Sequence, residues 1–473
     1  MRSLRVLAVG LVLIAGTVAL VLMARGQPVS LVVTGGTIVT MDAARRVIPD
    51  GAIAVDNGRI VAIDTASNIA QRYEPADRVD VRGQVVLPGL INTHTHAPMV
   101  LFRGLADDLA LMDWLTKYIF PAEAKTVSPD FVRVGTSLAA LEMIESGTTT
   151  FADMYYFEAD IAQAVHDAGL RAVLGQSVIR FPVKDAPTPE DALVRAEAFI
   201  KQWKDDPLIT PAVAPHAPYT LSPASLKAAR ALANRYQVPL LIHLAETQDE
   251  VKQIRDTYRL SPTMFLDSLG VWDGRSLGAH AVWLDDADMA VLARKKVGLA
   301  HNPGSNMKLA SGTAAVPKWI ERGIRAGLGT DGAASSNDLD MFTAMRLAAL
   351  LHKSASVQPQ TMPASLVLEL ATRRGAEALG LGDRIGSLEV GKEADLITVA
   401  MDGARQTPMY DAVSHLVYVS HGDDVRTTIV AGRVLMRDRQ VLSLRKAEVL
   451  RDARAMADLV RRAVAPAEPV KKK

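Results

Sequence analysis

Between residues 85 and 330 the chain alternates short apolar runs with helix-like stretches, and this rhythm restricts the folds open to it. Strand-like runs fall near residues 85–92, 148–154, 171–178, 209–215, 239–244, 276–281, 297–300 and 325–330. Helical stretches such as 130–145, 223–236 and 339–352 separate most of them. Eight strands alternating with helices predict a (β/α)8 barrel, whose functional face is formed by the C-terminal strand ends and the loops after them. Five of the runs end in residues able to bind metal or move protons. They place His94 and His96, His216, His243 with Glu246, His280, and Asp331 at that face.

The flanks have a different texture. Residues 31–87 are short β-rich runs broken by turns, with the hairpin signal Asn57-Gly58 between two of them. Similar runs return as ADLITVA, HLVYVS and VRTTIVAGRVLMRDRQVL, with a second hairpin at Ala431-Gly432. A chain of 473 residues exceeds one core of about 250 to 300 residues. The expected organisation is therefore a barrel over 88–384 and one small discontinuous β-sandwich built from 28–87 and 385–445. Residues 446–473 form a C-terminal helix and a basic tail.

Residues 6–24 are uncharged and almost wholly apolar, with Arg2 and Arg5 before them and Arg25 after. This reads as a signal anchor or signal peptide over 1–27, an N-terminal hydrophobic helix preceding the fold. The basic N-terminal side predicts a membrane-anchored protein with its catalytic body on the periplasmic, extracytoplasmic side, or secreted there if cleaved. A net charge of +1 supplies no field to recruit nucleic acid. The absence of cysteine excludes disulfides, thiolate ligands and a cysteine nucleophile.

His94 and His96 lie two apart at a strand end, so their imidazoles face the same way. With His243 and Asp331 they offer three nitrogens and one carboxylate, a set suited to zinc, or else ferrous iron, rather than calcium or magnesium. One metal is expected, because residues 209–216 contain no lysine that could bridge two. Glu246, three residues after His243, can reach a water activated there and shuttle its proton. His280 can orient that water, and His216 is read as a substrate contact.

These segments, LPGLINTHTHAPMVLFRGLADD, APHAPYTLS, IHLAET, HNPGSNMKLASG and GLGTDGAASSNDLDMF, resemble the amidohydrolase superfamily. Within it they resemble the methylthioadenosine and S-adenosylhomocysteine deaminases, over roughly residues 30–440. The resemblance implies that His94, His96, His243 and Asp331 hold the metal, and that Glu246 contacts the purine and moves protons. It implies that His280 assists the hydroxide, that His216 binds substrate, and that Glu123 in WLTKYIFPAEAKT accepts the ribose hydroxyls. The implied reaction adds water to C6 of an adenine ring and expels ammonia, with Asp331 receiving the water proton.

One departure concerns the arginines that would hold the homocysteine carboxylate. That region reads GQSVIRFPVKDAPTPEDAL, with Gln176 at one such place and Arg180 or Lys184 as substitutes. The homocysteine conjugate is disfavoured and a methylthioadenosine-like 5'-modified adenosine favoured. The other readings are an amidohydrolase for a different heterocycle, such as guanine, a pterin or a triazine, and a membrane-tethered, non-catalytic barrel. A small-molecule substrate and a homo-oligomeric assembly complete the expectations.

Overall fold

A computed structural model describes residues 26–464. The chain enters through β1 (Gln27–Val39), β2 (Val47–Asp56), β3 (Arg59–Thr65), β4 (Tyr73–Asp80) and β5 (Gln84–Pro88). Asp56 pairs with Arg59, leaving Asn57 and Gly58 as a two-residue turn. Their φ values of 48° and 77° are both left-handed, the geometry that an Asn-Gly hairpin favours.

The barrel follows as β6 (Leu90–Thr95), β7 (Thr148–Tyr155), β8 (Arg171–Val178), β9 (Ile209–Pro215), β10 (Leu240–Leu244), β11 (Ser276–His280), β12 (Gly298–His301) and β13 (Arg325–Leu328). These eight strands form one ladder in chain order, parallel throughout and nearly closed. Side chains stitch the seam between first and last strands. Thr93 donates to the Leu328 carbonyl at 2.8 Å, Asn92 donates to Thr330 at 2.7 Å, and the Asp331 amide donates to the His94 carbonyl at 2.9 Å. No side chain fits on Gly329 there: a Cβ would stand 2.3 Å from the Asn302 side-chain oxygen and 2.9 Å from the His94 nitrogen.

The expected first strand, 85–92, divides in two. Residues up to Pro88 belong to the outer sheet, Gly89 donates to the Asp395 carbonyl at 3.0 Å, and the barrel begins at Leu90. Inside the barrel Leu241, Leu277 and Val173 pack with Ala376 and Leu379, where the helix Arg373–Ala378 and the residues after it cover the strand starts. The strand-end histidines, Glu246 and Asp331 are left to the other end.

After the barrel come β14 (Leu396–Ala400), β15 (Val425–Val430), β16 (Arg433–Arg437) and β17 (Gln440–Val441). Strands from both ends of the chain join in the order β17-β16-β15-β14-β5-β1-β2-β3, with β4 on β1. The expected sandwich is thus one continuous sheet by hydrogen bonding, because β5 pairs with β1 on one edge and β14 on the other. Residues 415–420, expected to be strand, lie mostly in the helix Ala412–Tyr418. Asp411 caps it by accepting from the Ser414 amide at 2.6 Å, and Leu416 and Val417 are buried. A short apolar run does not separate strand from buried helix by periodicity.

Buried Arg171, at the start of β8, ties the two sheets together. It donates to Asp395 at 2.8 Å and to Glu393, while Asp395 also accepts from the Ala431 amide at 2.7 Å. Residues 6–24, the basis of the expected anchor, lie outside the described residues. Among the described residues no helix is long and apolar enough to cross a membrane.

Candidate active site

The residues named at strand ends converge on one mouth of the barrel. His94 lies in β6 and His96 just beyond it, His243 lies in β10, and Asp331 follows β13. The His94 ring centroid is 4.9 Å from that of His96 and 5.0 Å from that of His243. One Asp331 oxygen, Oδ1, is 3.4 Å from His94 Nε2 and 3.3 Å from His96 Nε2. His243 Nε2 is 3.3 Å from His96 Nε2.

The ring nitrogens on the far side explain this crowding. His96 Nδ1 meets the Met154 carbonyl and His243 Nδ1 the His216 carbonyl, each at 2.7 Å, and a carbonyl only accepts. Each Nδ1 therefore carries the proton, and two Nε2 lone pairs face one another across 3.3 Å. His94 Nε2 is buried without a hydrogen-bond partner. Burial pushes the His94 imidazole down to about 4, so it is neutral at ordinary pH. Clustered acceptors beside a carboxylate fit a cation and no hydrogen-bonded alternative.

Asp331 is held as an anion. Burial alone would raise its pKa, but the neighbouring His94, His280 and His96 side chains outweigh burial and hold it well below the usual carboxylate range. Its second oxygen accepts from Ser305 at 2.7 Å and Ser335 at 2.6 Å, contacts that sequence reading missed. Both serines sit in the HNPGSN and GAASSN stretches, where the only signal is proximity to a ligand-like motif.

His280 reaches the cavity by backbone conformation. Leu277 and Ala279 face the barrel interior, so strict alternation would turn His280 outward. Its φ of 70° ends the strand and redirects the ring. His280 Nδ1 is 2.9 Å from Asn306 Oδ1 and 3.9 Å from Glu246 Oε1. His94, His243 and His280 form a second triad of the right spacing for an ion, overlapping the first.

Glu246 lies just before the helix Gln248–Tyr258 and is buried at the cavity wall. Glu250 accepts from the Ala245 and Glu246 amides at 2.8 and 2.9 Å, so the turn is capped without using the Glu246 carboxylate. Burial pushes Glu246 up, opposed by His280. His216 also lines the cavity; its ring stays outside both triads while its carbonyl orients His243. His301 instead faces His352, with Nε2 atoms 3.2 Å apart, away from this cavity.

Another part of the wall comes from residues 111–126. A π-helical turn, Leu115–Ile119, shifts the register before the helix Phe120–Thr126, a local irregularity frequent at functional sites. Glu123 on that helix is buried, and its Oε1 accepts from the Tyr155 hydroxyl at 2.7 Å. Burial pushes it up to about 7, against the lowering effect of Tyr155. Tyr155, another residue missed in the sequence, has no signal apart from ending β7.

Known proteins resemble this chain throughout. The amidohydrolase family matches residues 85–435. A 5-methylthioadenosine/S-adenosylhomocysteine deaminase of Syntrophobacter fumaroxidans is 47% identical over 431 residues, 91% of this chain and 98% of its own. A 5'-deoxyadenosine deaminase of Methanococcoides burtonii is 43% identical over 436 residues, 91% and 98% of the two chains. The crystal structure of an adenosine deaminase from Xanthomonas campestris with bound zinc superposes with a TM-score of 0.91 at 38% identity, covering 93% of this chain and all of that one. The expectation of a membrane-anchored, extracytoplasmic body does not stand beside relatives named as deaminases and aligned over 98% of their own length. A family match spanning most of the chain, joined to relatives aligned over nearly their whole length, makes this chain a member of the amidohydrolase family.

Proposed function

We propose that this protein deaminates a 5'-modified adenosine hydrolytically, giving the inosine analogue and ammonia. The observation that carries the reading is the meeting of three imidazoles and Asp331 at a cavity that buried Glu123 also lines. His94, His96, His243 and Asp331 are the proposed ligands of one divalent metal, zinc. When bound, the ion supplies Lewis-acid activation of water.

The chain's own residues then divide the proton work. Glu246, raised by burial, carries one water proton to the ring nitrogen. Asp331 takes the other and passes it to the amine as the C6–N bond breaks and ammonia leaves. His280, fixed by Asn306, orients the attacking oxygen. His216 contacts the substrate, and Glu123 accepts hydrogen bonds from the ribose hydroxyls while Tyr155 holds it in place.

The test is ammonia release by the zinc-loaded protein on 5'-deoxyadenosine, methylthioadenosine, adenosine and guanine. Selective turnover of the 5'-modified adenosines supports the reading. Turnover of guanine alone, or of none, refutes it.

A further inference from the structure

At Glu123 a second cavity adjoins the main one. The two share Phe120, Glu123 and Tyr156, and the second extends between the helix Phe120–Thr126 and the loop of residues 181–184. Its volume is ≈ 180 Å³. Glu123 lines both cavities, so with base and ribose placed as proposed above, on which this inference rests, this space adjoins the sugar.

The lining is apolar and aromatic. Phe120 and Phe181 meet edge to face with centroids 5.2 Å apart, and Val127, Tyr156 and Val183 complete the walls. The single cation among the lining residues is Lys184, which is exposed. Arg180 is exposed and outside the lining. Gln176 is not in the lining either: its amide donates to Asp185 at 2.9 Å, which ties it to the loop base. A zwitterionic amino-acid group entering here would lose its hydration without a buried partner, and an exposed lysine compensates little.

We infer that this cavity is a 5' subsite for uncharged alkylthio and arylthio groups, reaching the size of a phenyl ring, and that it discriminates against an amino-acid terminus. An apolar cavity of roughly 150 Å³ holds a benzene ring. The space here therefore exceeds what a methylthio group fills, and its two phenylalanine rings suit an aromatic guest.

The experiment compares kcat/KM of the zinc-loaded full chain for 5'-deoxyadenosine, methylthioadenosine, 5'-phenylthio-5'-deoxyadenosine and S-adenosylhomocysteine. 5'-Deoxyadenosine presents only a methyl group to the cavity and reports on the deaminase reading alone. The expected result is phenylthio turnover at or above methylthio turnover, with S-adenosylhomocysteine at least roughly 10-fold lower. Phe181→Ala should lower the phenylthio to 5'-deoxyadenosine ratio by roughly 10-fold. Val183→Arg should raise S-adenosylhomocysteine relative to methylthioadenosine. Efficient S-adenosylhomocysteine turnover with poor phenylthio turnover, or a ratio unmoved by Phe181→Ala, overturns the subsite while leaving the deaminase reading intact. No turnover of 5'-deoxyadenosine overturns both.

Discussion

Replacing Glu123 with Gln tests the substrate reading at its least local point, because this glutamate touches neither the proposed metal ligands nor Glu246. Its Oε1 accepts from Tyr155 at 2.7 Å, so Oε2 is the oxygen left for the proposed ribose hydroxyls. A hydrogen bond to a charged group is worth about 1.5 to 3 kcal/mol. Glutamine keeps one acceptor but turns an amide donor toward the other hydroxyl. The expected loss is about 2 to 4 kcal/mol, or roughly 30- to 1000-fold in kcat/KM for nucleosides.

The wild-type pH profile gives an independent readout. Burial raises Glu123 to about 7, so the carboxylate that accepts the hydroxyls is present above that pH and lost below it. Nucleoside kcat/KM should fall by about tenfold per pH unit below this value, from loss of the ionised form. The Gln variant should lack that limb. The assay is ammonia release on 5'-deoxyadenosine and on adenine, which has no ribose, between pH 5 and about 9. A variant with an unchanged nucleoside-to-adenine ratio would refute the assignment of Glu123 to the ribose.

Glu246→Gln should lower kcat by roughly 10² to 10⁴ with zinc content unchanged, since the side chain is a proposed proton carrier and not a proposed ligand; loss of zinc by elemental analysis would contradict this. In Gly329→Ala the new methyl would press on Asn302 and the His94 nitrogen. Zinc affinity should drop roughly 10- to 100-fold, as in other disturbances of groups that orient ligands, and competition with a chelator measures it. Arg171→Ala leaves buried Asp395 without its cation, while Glu393 keeps Arg384 at 2.7 Å. It should cost about 3 to 5 kcal/mol of folding stability by urea unfolding, and a loss under about 1 kcal/mol would show that the pair is not coupled as the geometry indicates.

Legibility in the sequence followed how local each cause was. The barrel strands were readable because short apolar runs bounded by turns identify themselves within a few residues. His243 was readable for the same reason, since Leu241 and His243 share a strand face by alternation alone. The Asn57-Gly58 turn carries its conformation in its own residues. The boundary at Gly89 was hidden, because the apolar run passes from one sheet to the other without a change in pattern. Residues 415–420 looked like strand because nothing in six residues reports the burial that Leu416 and Val417 find in a helix.

The sequence by itself determined the kinds of chemistry available: imidazoles and a carboxylate at strand ends, a glutamate able to carry protons, and no thiol. Tertiary structure alone decided their aim. His280 and Asp331 depend on left-handed backbone at φ of 70° and 63°. The Tyr155 bond to Glu123 joins residues 32 apart, and the second cavity exists only where the helix Phe120–Thr126 meets the loop of residues 181–184. Propensity and alternation act over neighbouring residues. The direction of a side chain at a strand end is instead set by contacts from distant parts of the chain.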